Sequence, residues 1–383
     1  MNNIKKKIVF VSTSIITIQS FLLHHIQRLI KEDFEIFIIT NIKQISIKQN
    51  LNVKLINLDF CRKISLLSDL LSFFKLIFFL KKISPNIIIS ISPKAGLLSS
   101  IASFFLKIKF RVHIFTGQVW ANKKGLYRNF LKFLDKIIII LSTHILIDSF
   151  SQKKFLFKNK LFKKKSKCIV IENGSICGVD SNKFCKSYSN RLFFRKKLKI
   201  NNSSIIIIYV GRINYEKGIH NLIDVFKKIL LVNKNIYLFL VGFDEINLKN
   251  TLKNHEHLKK IKIFNHVNNI ENFFQSADIF CLPSQREGFG VSVVEASSCQ
   301  LPVVCSDIYG LKDSSINNFT SLKFKLGHNK QMLKHLIKLI NDKKLRQKLG
   351  KQGRHWVKNN FSKSRVIDGY VNFFKKILLD NSN

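Results

Sequence analysis

Short runs rich in Ile, Val and Phe alternate with longer stretches of helical periodicity along this chain, and no other feature constrains its fold as strongly. Such runs are typical of buried strands. In the first half they lie at residues 8–11, 35–40, 53–57, 87–90, 111–115, 144–148 and 168–172. Helical patterns lie between them, for example at residues 19–31 and 65–82. This alternation predicts stacked β-α units with parallel sheets.

The second half repeats the alternation, which indicates a second domain. Its strand candidates lie at residues 205–210, 236–241, 261–264, 279–282 and 303–306. A polar, basic passage at 185–202 precedes them, and 383 residues are too many for one ordinary core. We therefore predict an α/β fold of two doubly wound, Rossmann-like domains, 1–190 and 200–360, that face a cleft. An amphipathic helix within 361–383 is expected to cross back to the first domain.

The cysteines and the hydropathy pattern exclude several classes of protein. The seven cysteines are odd in number and lack the paired spacing of metal ligands, so we expect neither a disulfide framework nor a zinc site. No apolar run has the length of a membrane span. The basic start of the chain is not followed by a cleavage pattern, so we expect no export signal and a cytoplasmic protein.

A net charge of +42 is compatible with nucleic acid or an anionic lipid surface as partner. The abundance of Lys, Asn, Ile and Phe, typical of a genome rich in A and T, accounts for part of this charge. In the segment 153–167, lysines interleave with Phe and Leu, which fits either a segment lying on an anionic membrane or a solvated helix face. No nucleic-acid-binding motif is visible, so we expect no nucleic-acid partner.

Two acids flank the start of a predicted helix in the second half. Glu287 lies in the turn Glu287-Gly288-Phe289-Gly290, and Glu295 follows after seven intervening residues, within the helix that starts after Gly290. The N-terminus of a helix offers unpaired N–H groups and the positive end of a dipole to an anion. Two acids around an anion site suit a nucleotide sugar, although such a pair also arises by chance in long chains.

Two cations follow the first strand candidate of the second half. Gly211 permits close approach of the backbone, and Arg212 and Lys217 offer a planar fork and a point charge to a diphosphate. The alternative is an ordinary loop with surface cations, in a chain that holds 65 Lys and Arg residues. The ordered combination with the two acids favours the binding site.

The ordered series of these motifs resembles the group 1 glycosyltransferases, and more narrowly the retaining family 4 enzymes of the GT-B fold. The residues that carry the resemblance are Gly211-Arg212, Glu216-Lys217-Gly218, Ala277-Asp278, Pro283-Ser284, Glu287-Gly288-Phe289-Gly290 and Glu295-Ala296. In the first half, residues 92–96, 115–120 and 123–125 are similar to a subgroup that builds capsule, O-antigen and other surface polysaccharides.

The resemblance implies transfer of a hexose or N-acetylhexosamine from a nucleotide diphosphate sugar to a glycan or polyprenyl-diphosphate-linked acceptor, with retention of configuration. It implies a catalytic set of Arg212 and Lys217, which hold the diphosphate, and Glu287, which contacts the sugar. The implied donor-binding residues are Gly211, Gly288, Phe289, Gly290 and Glu295, the last on the ribose hydroxyls. No metal or cofactor is expected, since the chain lacks the Asp-x-Asp pair of metal-dependent glycosyltransferases.

The first half departs from the family pattern at the places that face the acceptor. Ser14 lies where many relatives have a Gly-rich loop, and Thr116-Gly117 replaces a His-Gly pair. With Lys123, these residues form the expected acceptor side. His113 lies within a strand candidate and is interpreted as structural. Asp313 occupies a position where relatives often have Glu.

Two other functions remain open at this stage. A sugar-nucleotide epimerase of the GT-B fold would share the two-domain architecture but would need no acceptor. A basic nucleic-acid-binding protein is permitted by the charge alone. The transferase is the main prediction, with a location on the inner face of the cell membrane as a peripheral protein.

Overall fold

The computed structural model describes residues 5–42, 52–60, 65–162, 167–253, 259–265 and 267–379. The chain divides into two compact units. The first comprises the residues up to Cys177 together with those from Ser364 onwards, and the second is Gly178–Lys363.

The first unit is built on a seven-stranded parallel sheet in the order β3-β2-β1-β4-β5-β6-β7. Its strands are β1 Lys7–Ser12, β2 Glu35–Thr40, β3 Lys54–Asn57, β4 Ile87–Ile91, β5 Phe110–Phe115, β6 His144–Ile147 and β7 Cys168–Ile169. The strand β1 lies between β2 and β4, with Ile8 opposite both Ile36 and Ile87. The order of the strands reverses there, which is the point where doubly wound sheets bind ligands at their carboxyl edge.

Helices follow the strands of the first unit. They are α1 Ile15–Thr17, which continues through a π-helical turn Ile18–Leu22 into α2 Leu23–Lys31, then α3 Leu66–Ile83, α4 Pro93–Phe105, the 3₁₀ turn Val119–Asn122, α5 Gly125–Leu141 and α6 Phe150–Lys158. Their inner faces cover the sheet with buried apolar side chains such as Leu76, Leu80 and Ile138.

The second unit repeats this plan with a six-stranded parallel sheet in the order β10-β9-β8-β11-β12-β13. Its strands are β8 Ile205–Val210, β9 Ile236–Val241, β10 Ile261–Phe264, β11 Ile279–Leu282, β12 Val303–Ser306 and β13 Ser321–Phe324. Its α-helices are α7 Tyr188–Lys197, α8 Ile219–Val232, α9 Leu248–Lys253, α10 Ile270–Ser276, α11 Val291–Ser298, α12 Leu311–Ser314, α13 Asn329–Asn341 and α14 Lys343–Asn360, with a 3₁₀ turn at Tyr215–Lys217. The prediction of two doubly wound parallel sheets is confirmed.

The last helix, α15 (Lys363–Leu379), packs within the first unit. Tyr370 meets the ring of His25 on α2 edge to face, with 4.9 Å between centroids. The ammonium of Lys375 lies 2.7 Å from the carboxylate of Glu32. These contacts join the end of the chain to the layer that covers β1 and β2.

The boundary between the units lies at Cys177–Gly178, whereas the sequence predicted a first domain of 1–190 and a second that starts at 200. The prediction was wrong because the polar passage folds as α7 and belongs to the second unit. Arg191 and the fully buried Arg195 each place a guanidinium nitrogen 2.7 Å from Asp278, which precedes β11. The charged, weakly periodic segment 185–202 therefore belongs to the second unit, where these ion pairs hold α7.

The lysine-rich segment 153–167 is described except for residues 163–166, so Lys163, Lys164 and Lys165 lie outside the described residues. Its apolar side chains face the core, and Leu156, Leu161 and Phe162 are buried. The ring of Phe155 stacks on that of Trp120, with 5.2 Å between the centroids. Of the two interpretations left open above, the described part fits a solvated helix face. Across the described residues, no helix is both long and apolar enough to span a membrane.

Candidate active site

The candidate donor site lies at the carboxyl edge of the second sheet, where the loops after β8 and β11 meet. Gly218 has a φ of +72° and starts α8, and a Cβ there would lie 2.2 Å from the carbonyl oxygen of Pro283. Only glycine permits this approach. The side chain of Asn214 accepts a hydrogen bond from the Lys217 backbone N–H at 3.0 Å, which fixes the turn that carries Lys217.

Lys217 and Glu287 form an ion pair across these two loops. Their side chains are only 17% and 14% exposed, so the pair is largely removed from solvent. A second ion pair runs alongside it, with 2.8 Å between Arg286 Nη2 and Glu216 Oε2. Two predicted catalytic residues, 70 positions apart, are thus in direct contact.

Arg212 is held by a residue that the sequence analysis missed. Its guanidinium donates to Glu245 at 2.9 Å, and the amide of Asn214 donates to the other carboxylate oxygen of Glu245 at 2.8 Å. Arg212 is half exposed and lies on the β8 loop, like Lys217, but it is not part of the Lys217–Glu287 pair. Glu245 follows β9 in a loop without any recognisable motif, so no sequence signal pointed to it.

The turn that contains Glu287 is anchored from two sides. Gly310 has a φ of +82°, and a Cβ there would lie 2.7 Å from the carbonyl oxygens of Glu287 and Gly288. The ring of Phe289 is buried and packs edge to face on Phe361, with 4.9 Å between centroids. The turn is therefore rigid, which suits a group that must position a substrate.

Gly290, with a φ of +86°, is the N-cap residue of α11 and provides no side chain to cap it. The predicted start of this helix after Gly290 is correct. The first-turn N–H groups of a helix without a capping side chain are donors for an anion, and the dipole favours negative charge there. This end of α11 directly follows the turn of Glu287.

Glu295 lies in the second turn of α11, in surroundings different from those of Glu287. Burial raises the pKa of its carboxyl to about 8, with Lys183 lowering this pKa and Glu271 raising it. Lys183 and Glu271 also form an ion pair with each other, with 3.5 Å between Lys183 Nζ and Glu271 Oε2. At neutral pH the unliganded Glu295 is mostly protonated, so it can both donate and accept hydrogen bonds. Neither Lys183 nor Glu271 was predicted as a neighbour, because no fixed spacing relates them to Glu295.

The predicted acceptor-side residues follow the carboxyl ends of strands in the first unit. Ser14 comes after β1, is buried, and has an Oγ without a hydrogen-bond partner among the described residues. Thr116 and Gly117 come directly after β5, Thr116 exposed and Gly117 with a φ of +106°. Lys123 follows the next 3₁₀ turn and is partly buried. Ser14 therefore follows β1 and the other three residues follow β5, at the same edge of the sheet.

Two buried titratable groups lie within β5 and directly after β6. His113 is enclosed within β5, with its Nδ1 2.8 Å from Ser90 Oγ, and burial lowers its pKa to about 3. This places it in the core, in line with its structural interpretation. Asp148 follows β6, and burial raises its pKa to about 8. The sequence analysis did not identify Asp148, since a lone acid at the end of a strand gives no signal.

Side chains of the types that ligate metals are dispersed through the described residues. In the ranges that the structure describes, no three or more His, Cys, Asp or Glu side chains cluster in a way that could hold an ion. The six cysteines of these ranges are free thiols.

Comparison with known proteins identifies the family. The family model for glycosyl transferases group 1 matches residues 190–356, which hold all the predicted donor-site residues. The capsular polysaccharide biosynthesis glycosyltransferase CapM of Staphylococcus aureus is 31% identical over 84% of this chain and 84% of its own length. The chain belongs to the group 1 glycosyltransferases.

Other relatives of this glycosyltransferase agree with the assignment. The UDP-Gal:alpha-D-GlcNAc-diphosphoundecaprenol alpha-1,3-galactosyltransferase of Escherichia coli is 28% identical over 80% of both chains. The predicted transferase is thus confirmed, and nothing favours an epimerase or a nucleic-acid-binding protein.

Solved structures share the fold. Sucrose-phosphate synthase from Thermosynechococcus elongatus superposes with a TM-score of 0.81 at 16% identity, covering 98% of this chain and 100% of that chain. Anabaena HepE, in complex with UDP and glucose, gives a TM-score of 0.78 at 17% identity, covering 97% and 99%. These similarities show the GT-B fold of this glycosyltransferase, as predicted.

Proposed function

We propose that this glycosyltransferase moves a hexose or N-acetylhexosamine from a nucleotide diphosphate sugar to a glycan acceptor linked to a polyprenyl diphosphate, in the synthesis of a surface polysaccharide. The names of its relatives support the acceptor class. The Escherichia coli relative acts on a diphosphoundecaprenol-linked sugar. So does the N,N'-diacetylbacillosaminyl-diphospho-undecaprenol alpha-1,3-N-acetylgalactosaminyltransferase of Campylobacter jejuni, 26% identical over 90% of this chain and 92% of its own length.

The Lys217–Glu287 pair beside the start of α11 is the observation that carries this proposal. A donor diphosphate placed there would meet the Lys217 ammonium and the first N–H groups of α11, with Arg212 on the same loop as Lys217. All of these groups favour negative charge. Glu287, anchored in its turn, would accept hydrogen bonds from the hydroxyl groups of the transferred sugar.

Charge develops on the leaving diphosphate as the bond between the anomeric carbon and the phosphate oxygen breaks. The oxygen keeps the electron pair, and Lys217, Arg212 and the α11 dipole stabilise it in place of a metal ion. In the proposed mechanism the acceptor hydroxyl attacks from the side of the leaving group and transfers its proton to that phosphate. The new bond then has the configuration of the old one.

Glu295 is proposed to bind the ribose of the donor. Its raised pKa lets it donate one hydrogen bond to a ribose oxygen and accept another from a hydroxyl group. No cofactor takes part in this scheme. Ser14, Thr116, Gly117 and Lys123 are proposed to contact the acceptor, because they follow strand ends at the ligand-binding edge of the first sheet.

A lipid-linked acceptor requires the protein to work at a membrane surface. We therefore propose a cytoplasmic protein that associates peripherally with the inner face of the cell membrane, with anionic lipid rather than nucleic acid as the partner of its positive charge.

A donor scan tests the proposed site. UDP- and GDP-sugars are added to the wild type, to Lys217→Ala and to Glu295→Ala, and the melting temperature is followed. At least one donor should stabilise the wild type and stabilise both variants less. Lys234→Ala removes an exposed lysine at the opposite, amino edge of the same sheet, just before β9, and serves as the control that keeps the donor response. The absence of stabilisation by any donor contradicts the proposal.

A further inference from the structure

Three consecutive helices of the first unit, α3, α4 and α5, present large apolar side chains to solvent. They connect β3 to β4, β4 to β5 and β5 to β6, so right-handed crossovers place all three on one side of the sheet. The helix α4 contacts both α3 and α5. Their solvent-facing surface, called the α3–α5 face below, is therefore continuous.

The outer side of α3 is unusually apolar. Leu67, Leu71, Phe74 and Phe78 recur at helical spacing and are 80%, 64%, 59% and 62% exposed. The opposite side of the same helix already supplies buried residues such as Leu76 to the core. The exposed stripe is thus not needed for packing of the first unit.

The helix α5 continues the pattern. Leu126, Phe130, Phe133 and Ile140 form a second exposed stripe, and Leu126 is 88% exposed. Phe104 and Phe105, at the end of α4, add two more exposed rings to the face. Apolar clusters of this kind on a protein surface mark an interaction site.

The charges of the α3–α5 face have one sign. Both acidic residues of α3 and α5 are tied up: the carboxylate of Asp69 lies 2.6 Å from Lys94 Nζ, and buried Asp135 accepts from Trp120 Nε1 at 2.7 Å. Exposed lysines border the apolar stripes, namely Lys75, Lys81, Lys82, Lys124 and Lys136. An apolar face with a cationic border complements an anionic bilayer. A second copy of the chain would bring two cationic borders together, which charge repulsion disfavours.

We propose that the α3–α5 face inserts its Leu and Phe side chains into an anionic bilayer and anchors the protein there. The lysine-rich segment 153–167 is a weaker candidate, because its described apolar residues are used in the core. The start of α5 directly follows Lys123 and Lys124, so insertion brings the acceptor-side edge of this unit to the lipid headgroups. The inference rests on the proposed membrane-linked function and identifies the surface responsible.

Vesicle flotation tests the apolar contribution. The probes are vesicles of phosphatidylcholine with 30% phosphatidylglycerol, and the variant carries Leu67→Ser, Leu71→Ser, Phe74→Ser and Phe130→Ser. Its binding should fall by at least about ten-fold, because four exposed apolar groups lose their lipid contact. The control, Leu231→Ser with Val232→Ser, alters side chains that are 77% and 75% exposed on the second unit and should bind like the wild type.

Insertion depth gives an independent measurement. In Phe74→Trp the new indole should shift its emission to shorter wavelength on vesicles and be quenched by brominated lipid. Vesicle binding without such quenching, or equal binding by the four-fold variant, overturns the inference. The inference is also overturned if sedimentation without lipid shows a dimer that the four-fold variant abolishes, because a second copy of the chain would then occupy the α3–α5 face.

The outcome can be separated from failure of the proposed activity. Donor-dependent stabilisation in the absence of vesicles should be the same in the four-fold variant and the wild type. Suppose that no donor stabilises either protein while flotation still depends on the α3–α5 face. The proposed transferase function is then contradicted, and the proposed membrane-binding surface is still supported.

Discussion

At the scale of single residues, the proposed donor site is centred on the ion pair between Lys217 and Glu287. Lys217 and Glu287 neutralise each other within a largely desolvated contact. A diphosphate anion offers Lys217 a second partner, and a sugar hydroxyl offers Glu287 a donor. In the proposed site, the pair would keep two charged side chains in place, without buried unpaired charge, until the donor binds.

Replacing Lys217 with Ala should lower kcat/KM by roughly 10²-fold to 10³-fold, because a cation on the leaving group and the partner of Glu287 are lost together. Lys217→Arg keeps the charge and should recover part of the activity. Steady-state kinetics with the best donor measures both. An activity of Lys217→Ala within two-fold of the wild type would mean that Lys217 does not contact the leaving group.

The carboxyl of Glu295 should give stability a pH dependence. Its pKa rises from the usual 4.5 of an unfolded chain to about 8 in the folded state. The folded state therefore holds a proton that the unfolded state lacks between these values, and stability falls as pH rises through this window. Glu295→Gln removes this contribution. The unfolding free energy of the variant should therefore rise relative to that of the wild type between pH 6 and pH 8.

Urea unfolding at pH 6, 7, 8 and 9 measures this difference. Above pH 8 the difference in unfolding free energy between Glu295→Gln and the wild type should become constant, because Glu295 is then ionised in both the folded and the unfolded wild type. Asp148, whose pKa is also raised to about 8, leaves a remaining slope in both proteins. A difference between the two proteins that is constant from pH 6 to pH 9 would place the Glu295 pKa near its usual value.

At the scale of elements, α4 packs against β5 with a close contact at Gly96. A Cβ at Gly96 on α4 would lie 2.3 Å from Cε1 of His113, whose ring is fixed by its hydrogen bond to Ser90. Gly96→Ala should therefore destabilise the protein by about 1–3 kcal/mol, in spite of the better helix propensity of Ala.

A double-mutant cycle tests whether the clash is with His113. His113→Ala costs stability on its own, because it opens a cavity in the core, but it removes the ring that the new methyl group meets. The double variant should be more stable than the sum of the two single changes predicts. Additive free energies would show that the strain of Gly96→Ala lies elsewhere.

The elements themselves could be predicted well from the sequence. Ile-rich runs such as Ile205–Val210 became strands with the expected limits, since burial on both faces leaves a continuous apolar pattern. The helix α7 could not be predicted, because its place depends on the contacts of Arg191 and Arg195 with Asp278, more than 80 residues away. Periodicity carries no information about ion pairs at that separation.

The site was predictable only in part for the same reason. The motif located Lys217 and Glu287, and their contact followed from the parallel sheet, which brings the loops after β8 and β11 to one edge. The partnership of Arg212 with Glu245 and the raised pKa of Glu295 depend on which side chains surround them in space. Spacing along the chain does not encode these surroundings.

At the scale of the whole molecule, the two units are built on the same plan but differ in what their sequences match. The match to the group 1 glycosyltransferases covers residues 190–356, which lie within the second unit. The first unit carries the departures at Ser14 and Thr116 and the exposed α3–α5 face. We expect the first unit to determine the acceptor and the membrane contact, and the second to determine the donor.

The most direct test of the account is a transfer assay with a synthetic sugar-diphosphate-lipid acceptor and the donor that stabilises the protein most. The product is analysed for its anomeric configuration by NMR, with and without EDTA. We predict transfer to the lipid-linked acceptor, an anomeric configuration equal to that of the donor, and a rate unchanged by EDTA. A product of inverted configuration, or donor consumption without any glycosylated acceptor, would contradict the account.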